Sequence, residues 1–285
     1  MSKSVLLGSV ALFAVAFAGT ASAQQAISPV LSSAPTVNEA IVVQRGGTNK
    51  ATIDQTIGQN NKAGYLNNTI DLSAANITEN NGNDAFTNVN SVLQNGNNNE
   101  LNIIQPGSNN SVVTSSGNYF RDTFIFNPTS GGSFQRGDGN KVYVNQGGGN
   151  GVAQFQQRGD GNTGSIITEA NANNTYAGLF QFGDSNTAQI RQNSTAINAY
   201  AVVVQQGNNN SGAIEQSGTY NYAGLLQIGS YNTAGITQFG TAGVGAGGYQ
   251  YGVGNSASVL QNGLSSSNAL FAQAGNNNSV TIRQR

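Results

Sequence analysis

The chain contains no cysteine, no histidine and no tryptophan. Disulfides, thiolate chemistry, zinc held by its usual ligands and histidine acid–base catalysis are thereby excluded. Charge is scarce too. Eleven Lys and Arg and twelve Asp and Glu make up 8% of the 285 residues, against about 25% in an average soluble protein. A net charge of −1 gives no electrostatic attraction to nucleic acid or to an anionic membrane. The carboxylates are too scattered to supply the paired groups of an acid–base catalyst. Neither an enzyme, nor a cofactor, nor a metal site, nor a small-molecule substrate is expected.

Long apolar runs are also missing, with one exception. Residues 1–23, MSKSVLLGSVALFAVAFAGTASA, carry Lys3, an apolar stretch from Val5 to Ala18, and the small residues Ala21-Ser22-Ala23. The stretch is shorter than the ~20 residues of a spanning helix and has the pattern of a secretory signal peptide. Cleavage is expected between Ala23 and Gln24.

What the chain has in excess is amide and glycine: 42 Asn, 24 Gln and 38 Gly. An irregular tract of that composition would be disordered, but these residues are periodic. The unit Gln-x-Gly-x-x-Asn-x-(small or apolar)-x-(Ile, Val or Leu)-x-Gln starts at Gln44, Gln94, Gln105, Gln135, Gln157, Gln181, Gln205, Gln216, Gln227, Gln250 and Gln273. Nine of the eleven copies close on Gln again; Ser116 and Thr168 are the exceptions. Starts recur at 11 or at 22 to 24 residues. Such a period marks a repeat architecture.

Within the unit, NKVYVNQ (Asn140–Gln146) places Asn140, Val142, Val144 and Gln146 on one face of a strand. The intervening QRGDGN (Gln135–Asn140) reads as a glycine-rich arc. Strand, arc, strand, arc over about 22 residues is one coil of an all-β solenoid, with coils stacking about 4.8 Å apart in amyloid-like cross-β fashion. The strand charges Lys50, Asp54, Glu100, Lys141, Arg191, Glu215 and Arg283 all fall on the opposite face. An unpaired charge in a dry interior costs several kcal/mol, so the Asn–aliphatic–Gln face points inward. A buried amide needs partners for both its hydrogens and its oxygen. An identical amide one coil above and below can supply them.

The expected stacking ladder comprises Gln44, Asn49, Gln55, Gln94, Asn99, Gln105, Gln135, Asn140, Gln146, Gln181, Asn186, Gln192, Gln205, Asn210, Gln216, Asn221, Gln227, Asn232, Gln238, Gln250, Asn255, Gln261, Gln273, Asn278 and Gln284. The expected arc glycines are Gly46, Gly96, Gly137, Gly183, Gly207, Gly218, Gly229, Gly252 and Gly275. The chain divides into a signal peptide (1–23), a flexible leader (24–37) and one repeat solenoid (38–285) with room for roughly eleven coils. The repeat blurs at 56–93 and 113–134, which read as degenerate coils or as bulged loops, and Phe239–Gly252 reads as an enlarged arc or slack coil. The terminal strands, at Asn38–Gln44 and Asn278–Gln284, are expected to leave exposed edges that template a further molecule.

The unit Asn-x5-Gln-x-Gly-x-x-Asn-x-Ala-x3-Gln, as in NYAGLLQIGSYNTAGITQ (Asn221–Gln238), resembles the curlin repeat. Further copies are NKATIDQ (Asn49–Gln55), QFGDSNTAQIRQ (Gln181–Gln192) and QYGVGNSASVLQ (Gln250–Gln261). The resemblance implies a secreted subunit of curli, the extracellular amyloid fibres on the surface of Gram-negative bacteria, acting in adhesion and biofilm matrix. It implies the chain itself as partner, a nucleating minor subunit, and an outer-membrane secretion channel. The repeat number and the blurred segments leave open whether this is the major subunit, the nucleator or another relative. The competing reading is a monomeric β-solenoid adhesin. An ice-binding face would need flat outward rows of Thr, whereas Thr52, Gln189, Ala213, Gly224, Gly235, Ser258 and Thr281 vary. The Arg-Gly-Asp triplets at Arg136 and Arg158 read as arc chemistry rather than as calcium or integrin sites.

Overall fold

The computed structural model describes residues 38–55, 58–63, 92–112, 132–240, 243–263 and 267–285. Backbone strands at Ala11–Phe17 and Val30–Leu31, and five short ones between 65 and 90, complete the description. The expected cleavage site at Ala23 and Gln24 lies outside the described residues. The fold is an all-β solenoid in which two parallel sheets face each other.

Six uninterrupted coils carry the pattern most clearly. Their first-sheet strands are Val152–Arg158, Tyr176–Phe182, Tyr200–Gln206, Tyr222–Ser230, Gly245–Val253 and Asn268–Ala274. Their second-sheet strands are Thr163–Thr168, Thr187–Gln192, Ser211–Gly218, Thr233–Gly240, Ser256–Gln261 and Ser279–Gln284. Alternation drives the segregation. In Thr187–Gln192 the burial alternates strictly, with Ala188, Ile190 and Gln192 inside. The core is thus a stack of equal layers. Ile166, Ile190, Ile214 and Ile236 from the second sheet meet Phe155, Leu179, Val203 and Leu225 from the first. The strand charges face outward; Asp54, Lys141, Arg191 and Arg283 are exposed.

Among the described residues the second sheet has nine strands, one for each of nine coils. The pairing register shows where the first-sheet strands are interrupted. In the first sheet Glu39 and Ala40 pair with Lys62 and Ala63, whereas Val42–Arg45 of the same strand pair with Val92–Asn95. The chain therefore leaves a strand at Ala63 and re-enters the same layer at Val92. One coil later it leaves at Val112 and returns by Phe134, since both segments lie beside the single strand Val152–Arg158. Of the blurred segments, residues 113–131 and much of 56–91 lie outside the described residues.

The two arcs of each coil differ. From Gln to Asn the first arc always spans five residues, as in Gln181–Asn186. The second spans five (Gln146–Gly151), six (Gln238–Val244) or seven (Thr168–Thr175). That variation accounts for coil separations of 22 (Gln135 to Gln157), 23 (Gln227 to Gln250) and 24 (Gln157 to Gln181). In the seven-residue arcs Glu169 accepts from Arg191 Nε at 3.0 Å and from the Ser194 N–H at 3.1 Å. The hydrogen bond from Arg191 holds the Glu169 carboxyl below its ordinary pKa.

The glycine cluster after Phe239 is not slack, for Gly245–Val253 is a regular strand. Gly248 sits where other coils carry a large residue, and a Cβ there would lie 2.2 Å from the Phe271 ring. The Phe271 side chain fills the space. Outward on the first sheet, Phe180, Val204 and Leu226 form a second, buried apolar cluster that alternation alone assigns to solvent. Beside it the Tyr176, Tyr200 and Tyr222 rings stack at 4.9 and 4.8 Å, the spacing of the coils.

The first arc depends on glycine for two reasons at once. Gly183 has φ +112°, and a Cβ there would lie 2.2 Å from the Gly207 carbonyl oxygen of the next coil. Gly183→Ala should therefore cost about 2–4 kcal/mol. Gly224→Ala, where a Cβ meets nothing within 4 Å, should change stability by less than about 1 kcal/mol. Urea midpoints of dilute monomer, read by far-ultraviolet circular dichroism, check both values.

Candidate functional site

The candidate site is a surface repeated along the whole stack: the contact between one coil and the next. Three sets of side chains build it, two of them at the ends of the strands.

On the first sheet, Gln94, Gln135, Gln157, Gln181, Gln205, Gln227, Gln250 and Gln273 fall in one column. Each Nε2 donates to the Oε1 of the glutamine one coil on, at 2.8–3.0 Å. Its other hydrogen goes to a backbone carbonyl of the facing sheet, as from Gln205 to Thr187 O at 2.9 Å. All but Gln273 are fully buried, with both amide groups engaged. Gln44 occupies the same column by backbone register opposite Gln94.

A second column runs along the second sheet. Gln55 donates to Gln105 at 2.6 Å and Gln105 to Gln146 at 2.8 Å. From Gln192 the column continues through Gln216, Gln238 and Gln261 to Gln284. Gln105 and Gln216 belong here, so the units that begin at them run from the second sheet back to the first. Thr168 interrupts this column. Its hydroxyl reaches Gln192 Oε1 at only 3.4 Å, while Gln146 Nε2 keeps the facing-carbonyl bond of the column, to Ser111 O, as Gln105 does to Lys62 O.

The asparagines of the first arc bond to one another and to the backbone: Nδ2 of Asn162, Asn186, Asn210, Asn232, Asn255 and Asn278 donates to the Oδ1 of the asparagine one coil back at 3.0–3.1 Å. The backbone N–H of each donates to the Oδ1 of the asparagine one coil back, from Asn99 on Asn49 through Asn278 on Asn255, at 2.9–3.1 Å. Each Nδ2 caps the arc glycine carbonyl of the next coil; Asn186, for example, donates to Gly207 O at 2.6 Å. The arc would otherwise leave that carbonyl buried and unpaired. Asparagine, one methylene shorter than glutamine, reaches the arc backbone as well as the fellow amide one coil back.

Asn221 is the misplaced member of the expected set. It lies in the second arc, donates to Ser217 O at 2.6 Å, and has Ala199 and Val244 as its counterparts in the neighbouring coils. Gly218 lies in that same arc, with φ +97°. Conversely, Gln157, Asn162 and Gly159 are full members of the first-arc columns, although the copy they start closes on Thr168. Asn38, Asn61 and Asn110 form a further column in the second arc, each accepting the next backbone N–H at 2.8–2.9 Å. Many other asparagines serve the backbone: Asn60, Asn98, Asn109, Asn150, Asn174, Asn198, Asn209 and Asn277 all have positive φ, which Asn tolerates better than most residues.

The Asp of each Arg-Gly-Asp triplet also has a structural partner. Asp138 accepts the Asn97 N–H at 2.7 Å, Asp160 that of Asp138, and Asp184 that of Asp160. Among the described residues no group of three or more Asp and Glu is arranged to hold a metal ion.

A column member has two neighbours to lose. Gln205→Ala removes the acceptor of Gln181 and the donor to Gln227 and should cost about 2–4 kcal/mol. Gln206→Ala, exposed and next in sequence, should stay within about 0.5 kcal/mol. Thr168→Gln should join the two halves of the second column and raise stability by about 1 kcal/mol. The urea midpoints of the three variants order these effects.

Comparison with known proteins bears on this arrangement. A family model described as the curlin associated repeat matches residues 38–64 and 198–240. The first match spans the opening coil up to Ala63, and the second spans the two coils from Tyr200 to Gly240. No curated protein matches the chain. With the repeat matched at both places and parallel coils in register, this chain carries curlin-associated repeats and is similar to the curlin-repeat family.

Proposed function

We propose that the mature chain, residues 24–285, polymerises by templated folding into an extracellular, curli-type amyloid fibre. One observation carries this reading: the first-arc contact between neighbouring coils is the same at every step. Each coil offers the next a glutamine donor, an asparagine acceptor and a row of parallel backbone groups, in unchanged register. A surface that matches its own successor also matches the equivalent surface of another molecule. An incoming unfolded chain then pairs its backbone on an exposed coil, aligns its amides, and offers a new coil in turn.

The rest follows from the sequence and the family. Residues 1–23 serve as the export signal, and an outer-membrane channel passes the unfolded chain, which charge-poor composition and absent disulfides suit. A minor subunit nucleates growth at the surface of a Gram-negative cell, and the fibre acts in biofilm matrix and adhesion. A folded monomer acting as an adhesin is the alternative. Dilution of residues 24–285 from denaturant separates the two. A lag in pelletable material that preformed seeds abolish is the expected result; a soluble, folded monomer that ignores seeds would mean the adhesin.

A further inference from the structure

Two of the polar columns change residue at one corner of one junction. The junction joins the third coil, with second-sheet strand Lys141–Gln146, to the fourth, with Thr163–Thr168. Thr168 stands opposite Gln146 in register, at the position where other coils carry glutamine. One arc on, Gly151 takes the place that Asn61 and Asn110 hold in the preceding coils. A shorter side chain and a bare Cα therefore meet on one level.

Three polar groups converge there. From the point where a Cβ of Gly151 would lie, Asn110 Oδ1 is at 2.8 Å, Gln146 Nε2 at 3.3 Å and Thr175 Oγ1 at 3.5 Å. All three residues are buried, and Thr175 is only 3% exposed. Each has bonding capacity to spare. Gln146 Nε2 donates to Ser111 O at 3.4 Å, but its register partner Thr168 has no amide oxygen for the second hydrogen. Gln105, one coil earlier, sends that hydrogen to Gln146 at 2.8 Å. Asn110 Oδ1 accepts from the Gly151 N–H at 2.8 Å, which leaves its second lone pair. Thr175 Oγ1 meets no partner among the described residues. Buried polar groups left in that condition are rare and costly.

The same set of groups selects what can bind. It offers an N–H donor, an amide oxygen acceptor and a hydroxyl that can be either. A cation would face the Gln146 N–H, an anion would face the Asn110 oxygen, and an apolar guest would satisfy neither. Water matches all three. It accepts from Gln146, donates to Asn110 and shares a hydrogen with Thr175, which gives the roughly three bonds of a typical buried water. Size agrees, because the asparagine side chain found here in the preceding coils is bulkier than a water molecule.

We infer that the corner formed by Asn110, Gln146, Gly151 and Thr175 is a binding site for one ordered water molecule. The water takes the hydrogen that the next glutamine accepts at other junctions, and so carries the second column past Thr168.

The test is water-to-protein magnetisation transfer, read by solid-state NMR on the isotope-labelled full chain. Sedimented monomer and fibre are both suitable, so the outcome does not depend on the fibre reading. Transfer to the Gln146 side-chain amide and to Thr175 should be severalfold faster than to Gln216. That residue is buried in the same column and spends its hydrogens on Tyr200 O and Gln238. Thr168→Gln supplies the missing acceptor and should slow transfer at Gln146 to the Gln216 level. Gly151→Ala sets a methyl group among the three polar atoms and should do the same. The urea midpoints of the two variants should part, rising for Thr168→Gln and falling for Gly151→Ala. A Gln146 amide already as slow as Gln216 in the unaltered chain overturns the site. Fast transfer that survives Thr168→Gln also overturns it, since bulk solvent would then be reaching the corner. Thr168→Gln installs the residue that its column neighbours carry, so this outcome can be read even where Gly151→Ala fails to fold.

Discussion

A buried primary amide has two donors and an acceptor to satisfy, and this solenoid buries one at almost every strand end. In a dry space between two sheets, the partner available in every coil is the same amide one coil away. That requirement makes the register strict. A slip of one residue would carry each glutamine to the outer face and bring charge inward, so the columns lock the sheets against sliding. The apolar rows contribute area but little specificity, because Ile, Val, Leu and Phe replace one another from coil to coil. The amides decide which residue sits above which.

Glutamine and asparagine both tie coil to coil, and each adds a bond of its own. Glutamine reaches the next glutamine and a facing carbonyl, tying coil to coil and sheet to sheet together. Asparagine caps the arc backbone, which has no strand partner of its own. The first arc is tight: its glycine carbonyl is capped and its Cα is overlain by the next coil, so its length does not vary. The second arc carries no such invariant pair and runs five, six or seven residues. Both breaks in the first-sheet strands, after Ala63 and after Val112, come just after this arc, whose length already varies.

The sequence is legible to the extent that each coil repeats the requirement of its neighbours. Strands, inward face, glutamine columns and arc glycines all follow from the spacing of Gln135 to Asn140 and its copies. Gln105 and Gln216 expose the first limit, since one eleven-residue motif describes both arcs and cannot tell which sheet a glutamine ends. The second limit is Asn221, whose spacing matches the repeat while its neighbours above and below are Ala199 and Val244. Membership of a column is a property of three coils, and a motif reads only one. The breaks after Ala63 and Val112 are illegible for the same reason, because the flanking segments keep their register in space and lose it along the chain. The outward cluster of Phe180, Val204 and Leu226 lies beyond any argument from alternation, which predicts the face and not what covers it.

An inner code this uniform is also degenerate: as far as the amides are concerned, any coil could stack on any other. Something else must choose among nine equivalent registers, and the outward residues are where coils differ. Glu100 stands between Lys50 and Lys141, and Arg191 lies opposite Glu215 in register. A shift of the chain by one coil would break these oppositions while leaving most of the glutamine contacts intact. The few charges that this chain retains therefore serve alignment more than stability. Each exposed pair contributes little by itself, yet it distinguishes states whose interiors are almost equal in energy. Low overall charge permits stacking, and the placement of the remaining charges determines which stack forms.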